Sequence, residues 1–219
     1  MLIIIEETIL TKLSILILTH NRPDLFQRCL HSVLSQLDDR TDVEIIVNND
    51  SNDIREINDS RVTYYYKSFE HLSSVYEFLL HKSQGEYVYF LEDDDYLTAD
   101  FFNKVPLEGN LIVGNYMPCH DKENMLQYSM MYLNEVLSEE RFLKKLDCRR
   151  LQLGQHIFKR KTIIDFDFPD DSHIANDVLL VLHAAQNAQT VNTYNRVFYH
   201  QTQDGGDNIS FPESTVNEV

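Results

Sequence analysis

Four short apolar runs, separated by amphipathic or polar stretches, constrain this chain more than its composition does. Leu13-Ser14-Ile15-Leu16-Ile17-Leu18, Val43 to Val47, Val62 to Tyr66 and Tyr87-Val88-Tyr89-Phe90-Leu91 have the length and near-continuous apolarity of strands covered on both faces. After the first run, Leu25, Phe26, Cys29, Leu30, Val33, Leu34 and Leu37 recur at helical spacing and define one buried face. Pro23 fits the first turn of that helix, where its missing N–H is no loss. Leu72, Val75, Tyr76, Leu79 and Leu80 mark a second helix, which Gly85 is expected to stop. The resulting β-α-β-α-β order predicts an α/β fold with a mostly parallel central sheet flanked by helices and right-handed crossovers. Ligands of such sheets bind at the carboxyl ends of the strands. Three of the four runs end in polar clusters, residues 19–22, 48–53 and 92–95, so these clusters should share one edge.

The second half is less regular. A strand is expected over Leu111 to Val113, a helix over Ser138 to Leu146, an acidic loop over Asp165 to Asp171, a helix over Ile174 to Ala188 and a strand over Val197 to Tyr199. Residues 203–219 read as a loose tail. The length of 219 residues suits a single domain with a substantial core. No apolar run is long enough to span a bilayer as a helix. Met1 to Ile5 has no basic flank and is cut off by Glu6 and Glu7, unlike a secretory leader, and a cytoplasmic location is expected. Lys+Arg number 19 against 35 Asp+Glu, a net charge of −16, which disfavours a broad nucleic-acid-binding face. The one basic concentration is Lys144, Lys145, Arg149, Arg150, Lys159, Arg160 and Lys161. Cys29, Cys119 and Cys148 form no C-x-x-C pair, which argues against a zinc knuckle and a disulfide framework. They read as buried thiols.

Glu92-Asp93-Asp94-Asp95 is the string with the clearest chemistry. Four successive carboxylates at the end of a buried strand repel one another and lose water, so their pKa values rise unless a cation compensates. A hard divalent ion with oxygen ligands is the natural partner. A solvated acidic turn capping a helix over Thr98 to Phe102 is the plainer alternative, but the position directly after an apolar strand favours the ion. Other nucleotide folds fit less well. The chain has neither G-x-G-x-x-G nor G-x-x-x-x-G-K-[ST], the glycine-rich phosphate cradles of dinucleotide and P-loop proteins. Adjacent carboxylates on one turn cannot flank a glycosidic bond as a glycosidase requires.

At this point a family resemblance enters. LSILILTHNRP at 13–23, EIIVNNDSND at 44–53 and GEYVYFLEDDDYL at 85–97 resemble the opening strand, nucleotide strand and metal motif of the family 2 glycosyltransferases. FDFPDDSHIANDVLLVL at 166–182 and RVFYHQTQDGGDNIS at 196–210 resemble that family's base-bearing and terminal segments. The resemblance runs through residues 13–210 in order and implies a GT-A-type, Rossmann-like α/β fold. It also implies a nucleotide-sugar-binding half over about residues 11–100 and an acceptor-binding, catalytic half over about 101–202.

The activity implied is metal-dependent, inverting transfer of a sugar from a UDP-linked donor to an acceptor hydroxyl. Thr19, Asn21, Arg22, Asn49 and Asp93 would border the nucleotide. Asp94, Glu92 and His200 would hold Mn²⁺ or Mg²⁺, Asp177 would be the general base, and Gln155 and His156 would face the acceptor. Asn49 replaces the usual Asp, Asn176 the usual Glu, and Ser74-Val75-Tyr76-Glu77 stands where an R-N segment is usual. These departures leave open a degenerate member that binds a nucleotide sugar or glycan without turning it over. For the acceptor, a saccharide or a lipid-linked glycan fits, and a hydroxylated base in DNA is disfavoured by the charge.

Overall fold

The computed structural model describes residues 11–51, 56–119, 132–146, 151–169 and 176–202. The four expected strands form as β1 (Leu13–Thr19), β2 (Val43–Asn49), β3 (Val62–Tyr65) and β4 (Tyr87–Glu92). The two expected helices form as α1 (Pro23–Leu34) and α2 (Leu72–Lys82). β3, β2, β1 and β4 lie side by side in that order and all are parallel. Leu13 pairs with Val43 on one side and Tyr87 on the other, so the three strands start level. Their polar ends, Thr19, Asn49 and Glu92, therefore emerge along one edge.

Alternation along the strands divides the core between the sheet's two faces. Ile15, Ile17, Ile45, Val47, Tyr89 and Leu91 pack beneath Phe26, Cys29, Leu30 and Val33 of α1. Leu16, Ile46, Val88 and Phe90 face the other way, onto Val75, Tyr76, Leu79 and Leu80 of α2. Each fully buried aliphatic side chain contributes about 1.5–3 kcal/mol relative to exposure, so both faces are strongly specified. A one-residue slip of any central strand would exchange the two sets.

Two local expectations are corrected. α2 ends at Lys82, with Ser83 already extended. Gly85 does not cap it. Gly85 is required because its backbone crosses β1: a Cβ there would lie 2.6 Å from the Ser14 amide nitrogen. The helix expected over Thr98 to Phe102 is instead α3 (Phe101–Lys104), preceded by Asp100 at φ 62°.

The second half extends the same sheet. β5 (Tyr96–Leu97), β6 (Leu111–Cys119), β7 (Glu135–Ser138), β8 (His156–Lys159) and β9 (Thr190–Thr202) complete a nine-stranded sheet. The order is β3-β2-β1-β4-β8-β6-β9-β5, with β7 on β9. β8 runs antiparallel between β4 and β6, while β6 and β9 are parallel. α4 (Glu139–Lys145) is capped by Ser138, whose hydroxyl accepts from the Arg141 amide. α5 (Asn176–Ala188) buries Leu180, Val181, Ala184, Ala185 and Ala188 on the face shared with α2. No helix among the described residues is long and apolar enough to cross a membrane. Met1 to Ile5, Cys148, Asp170, Asp171, Ile174 and residues 203–219 lie outside the described residues.

Candidate functional site

The end of β4 turns sharply. The Asp95 amide donates to the Glu92 carbonyl at 3.1 Å, closing a turn that brings residues 92 and 95 onto one side. Carboxylate oxygens of Glu92, Asp94 and Asp95 consequently all lie within 4.8 Å of one another. Asp93 points the other way, toward β1, and is 3% exposed. It accepts from the Thr19 hydroxyl and the His20 amide, yet its Oδ2 is buried with no partner.

Two arginines from α1 and its entry turn complete the cluster. Arg22 Nη1 donates to Asp94 Oδ2 at 2.7 Å and stands 3.4 Å from Asp93 Oδ1. Arg28 donates to the Asp94 carbonyl and to Thr202 Oγ1, and its guanidinium lies over the Tyr96 ring at 4.9 Å. Thr202, at the end of β9, donates its amide to Asp95 Oδ1 at 3.0 Å. The acidic turn is thus tied to β1, α1 and β9 together.

Burial and mutual repulsion govern the charges. Asp95 is pushed up to about 9, first by loss of solvent and then by the charge of Glu92. Asp93 is pushed up to about 6 by loss of solvent, with Arg22 opposing the shift. Glu92 reaches solvent, but protein crowding around its carboxyl, then the charges of Asp94 and Asp93, raise it too. An all-oxygen donor set of mutually repelling acids fits a hard divalent cation. Glu92, Asp94 and Asp95 are the residues that could hold it.

A pH dependence follows. Asp93 and Asp95 hold their protons more tightly when folded than their ordinary value near 3.8. The folded state therefore binds more protons than the unfolded state between about pH 4 and pH 9, and stability falls as pH rises through that window. The metal-free protein should melt lower at pH 8 than at pH 5.5. Added Mg²⁺ should raise the melting temperature more at pH 8 than at pH 5.5, because by then Asp93 has lost its proton and Asp95 has begun to. A melting temperature that rises from pH 5.5 to pH 8 without metal would show that these carboxyls are already compensated.

The other sequence-derived candidates fall into three groups. Thr19 is buried behind Asp93, while Asn21, at φ 53°, is on the rim, its Nδ2 2.9 Å from His20 Nε2. Asn49 sits at the end of β2, 5% exposed, and its Oδ1 accepts from the Ser51 hydroxyl. Asp177 lies in the first turn of α5, where its Oδ1 accepts from the Val178 amide at 2.8 Å. Burial raises its pKa, and its charge contributes to the upward shifts of Glu92 and Tyr76. The base candidate therefore lies within electrostatic reach of the acidic turn.

Several placements differ from expectation. His200 stands outside the carboxylate group: its ring stacks on Tyr96 at 4.7 Å, and its Nδ1 is 3.2 Å from Cys119 Sγ. Asp95 joins the group in its place, by the turn described above. Cys119 is half-buried beside that ring, whereas Cys29 is fully buried as expected. Gln155 and His156 are fully buried and so do not present side chains to an acceptor. Gln155 donates to the Gly114 carbonyl, and His156 Nδ1 meets the Gln152 carbonyl. Burial pushes His156 down to about 4, so it is neutral.

The mostly parallel sheet flanked by helices matches the GT-A fold of the solved structures described below. Residues 14–106 match the family model Glycosyl transferase family 2. An uncharacterized glycosyltransferase of Rickettsia bellii is 28% identical over 133 residues, which cover 58% of this chain and 19% of that protein. The glycosyltransferase GlyA of Streptococcus pneumoniae is 24% identical over 134 residues, 55% of this chain and 19% of that protein. The chain thus spans about a fifth of the length of these relatives. Among solved structures, residues 1–349 of S. aureus TarS superpose with a TM-score of 0.65 at 19% identity, covering 87% of this chain and 60% of that one. The same protein in complex with UDP-GlcNAc gives 0.64 at 19% identity, over 90% of this chain and 60% of that one.

Proposed function

We propose that the protein is an inverting glycosyltransferase that moves a sugar from a UDP-linked donor to an acceptor hydroxyl. The observation that carries this reading is the grouping of Glu92, Asp94 and Asp95 within 4.8 Å at the end of β4, with Asp177 close enough to raise Glu92. The UDP-GlcNAc bound by the structurally similar TarS supports a uridine nucleotide as the donor. In this reading Asn49 presents its side-chain oxygen to uracil N3–H, and Thr19, Asn21 and Arg22 border the nucleotide. Asp177 takes the proton from the acceptor hydroxyl as that oxygen attacks the anomeric carbon from the side opposite the diphosphate. Glu92, Asp94 and Asp95 would hold Mn²⁺ or Mg²⁺, which when bound neutralises charge on the departing diphosphate.

A saccharide or lipid-linked glycan is the acceptor this reading favours. DNA gains little from the basic cluster, because Lys144 pairs with Glu140, Lys145 with Glu135 and Lys159 with Glu86. The test is calorimetry with UDP, CDP, GDP and ADP, followed by UDP release from a panel of UDP-sugars with Mn²⁺. UDP should bind tightest, ahead of CDP by a modest margin, and some UDP-sugar should be consumed. Preference for GDP or ADP would overturn the uridine reading. Binding of UDP with no turnover of any UDP-sugar would instead establish a degenerate binder, the reading that Asn49 and Asn176 favour.

A further inference from the structure

The acidic turn already has a cation. The Arg22 guanidinium meets Asp94 Oδ2 at 2.7 Å and Asp93 Oδ1 at 3.4 Å. Asp94 is also one of the three carboxylates that a divalent ion would require. A second cation at the same carboxylate meets the guanidinium's charge at close range, so guanidinium and metal ion compete.

The two arginines of the cluster differ in how firmly they are held. Arg28 is bonded to a backbone carbonyl and a hydroxyl and rests on an aromatic ring. Arg22 sits at the entry to α1, makes no side-chain cap there, and has a side chain 19% exposed to solvent. It follows Asn21 at φ 53° and so is carried on a turn rather than inside the helix.

We propose that Arg22 is the resident counter-ion of the acidic turn, leaving Asp94 when a divalent cation binds and moving to the diphosphate that arrives with it. The diphosphate half of this proposal rests on the transferase reading. The counter-ion half does not. A metal ion binding alone must send Arg22 into solvent, which weakens that binding. A metal ion binding with UDP leaves the planar guanidinium a bidentate phosphate partner. Arg22 therefore couples the two ligands, and the coupling is reciprocal.

Calorimetry of Mn²⁺ alone, and of Mn²⁺ with saturating UDP, on the wild-type chain and on Arg22→Gln tests this. Arg22→Gln should bind Mn²⁺ alone about tenfold more tightly than wild type, equivalent to about 1.4 kcal/mol. UDP should tighten Mn²⁺ binding by about tenfold or more in the wild type, and that gain should largely vanish in the variant. Equal or weaker binding of Mn²⁺ alone by Arg22→Gln would overturn the proposal. Should that variant not fold, Arg22→Lys keeps the charge and should bind Mn²⁺ within about threefold of wild type; a tenfold rise there would also overturn it. Failure of the wild type to bind UDP would sink the transferase reading, while the comparison with Mn²⁺ alone would still decide whether Arg22 competes.

Discussion

Asp177→Asn is expected to slow sugar transfer by about 10²–10⁴-fold, the usual cost of removing a positioned general base, with UDP binding and melting temperature nearly unchanged. The oxygen that accepts from the Val178 amide survives in asparagine. The loss to the helix is confined to one N-terminal carboxylate, about 0.3–1 kcal/mol. Burial raises the pKa of Asp177, which brings it nearer the range where a carboxylate is an effective proton acceptor. Single-turnover rates with donor and acceptor, alongside calorimetry and thermal melts, separate the two effects. A variant that loses stability but keeps kcat within a few-fold would make Asp177 a helix-end residue, and the base would be sought at Asp165 or Asp167. Asp165 is the weaker of those two, because it already stands 3.4 Å from His183. A product retaining the donor's anomeric configuration would weigh more, since it removes the single displacement and the need for a base.

The strands that carry the site were legible because they are covered on both faces. Ile15 to Ile17, Val43 to Val47 and Tyr87 to Leu91 cannot be exposed at any alternation, so a continuous apolar run marks them. The parallel order and the shared polar edge followed from those runs alone. Of the later strands, short stretches of β6 and β9, Leu111 to Val113 and Val197 to Tyr199, carry such a mark, and the rest do not. β5 has two residues, β7 exposes Val136 at 66%, and β9 includes Asn192, Asn195 and Arg196. Their existence depends on partners distant in sequence, and β9 shifts register twice against β6.

Within the site the same division holds. Asp94 and Glu92 were visible because their positions follow from the strand. Asp95 was missed as a ligand candidate because only the turn closed by its amide onto the Glu92 carbonyl brings residues three apart together. An acidic string read as an extended chain gives no hint of it. Gln155 and His156 were read as acceptor-facing because nothing local marks them as enclosed: Gln155 ends a short 3₁₀ turn and His156 opens β8. β8 is flanked by β4 and β6, so its side chains are enclosed by packed layers. The Arg22 contact with Asp94 spans 72 residues, and no local pattern encodes it.

Asp94→Asn is expected to abolish metal-dependent donor binding while leaving the fold intact, and the structure sharpens why both should occur together. Asparagine keeps one oxygen at the position that Arg22 approaches, and Asp93 remains 3.4 Å from the same guanidinium. The lost half-charge on Arg22's partner is offset by relief of repulsion with Glu92 and Asp93, both of which Asp94 helps to raise. These terms oppose each other and are each about 1 kcal/mol, so the melting temperature should move little. The ligand side has no such compensation. A neutral amide is a poor ligand for a hard divalent ion, and removing one of three grouped carboxylates should weaken Mn²⁺-dependent UDP binding by about 10²-fold or more, equivalent to about 2.7 kcal/mol. Calorimetry of UDP with and without Mn²⁺ reads the effect directly. Full activity in Asp94→Asn at saturating Mn²⁺ would falsify the metal assignment. Wild-type UDP affinity that is indifferent to Mn²⁺ would go further. The acidic turn would then serve as the anchor for Arg22 and Arg28 and not as a cation site.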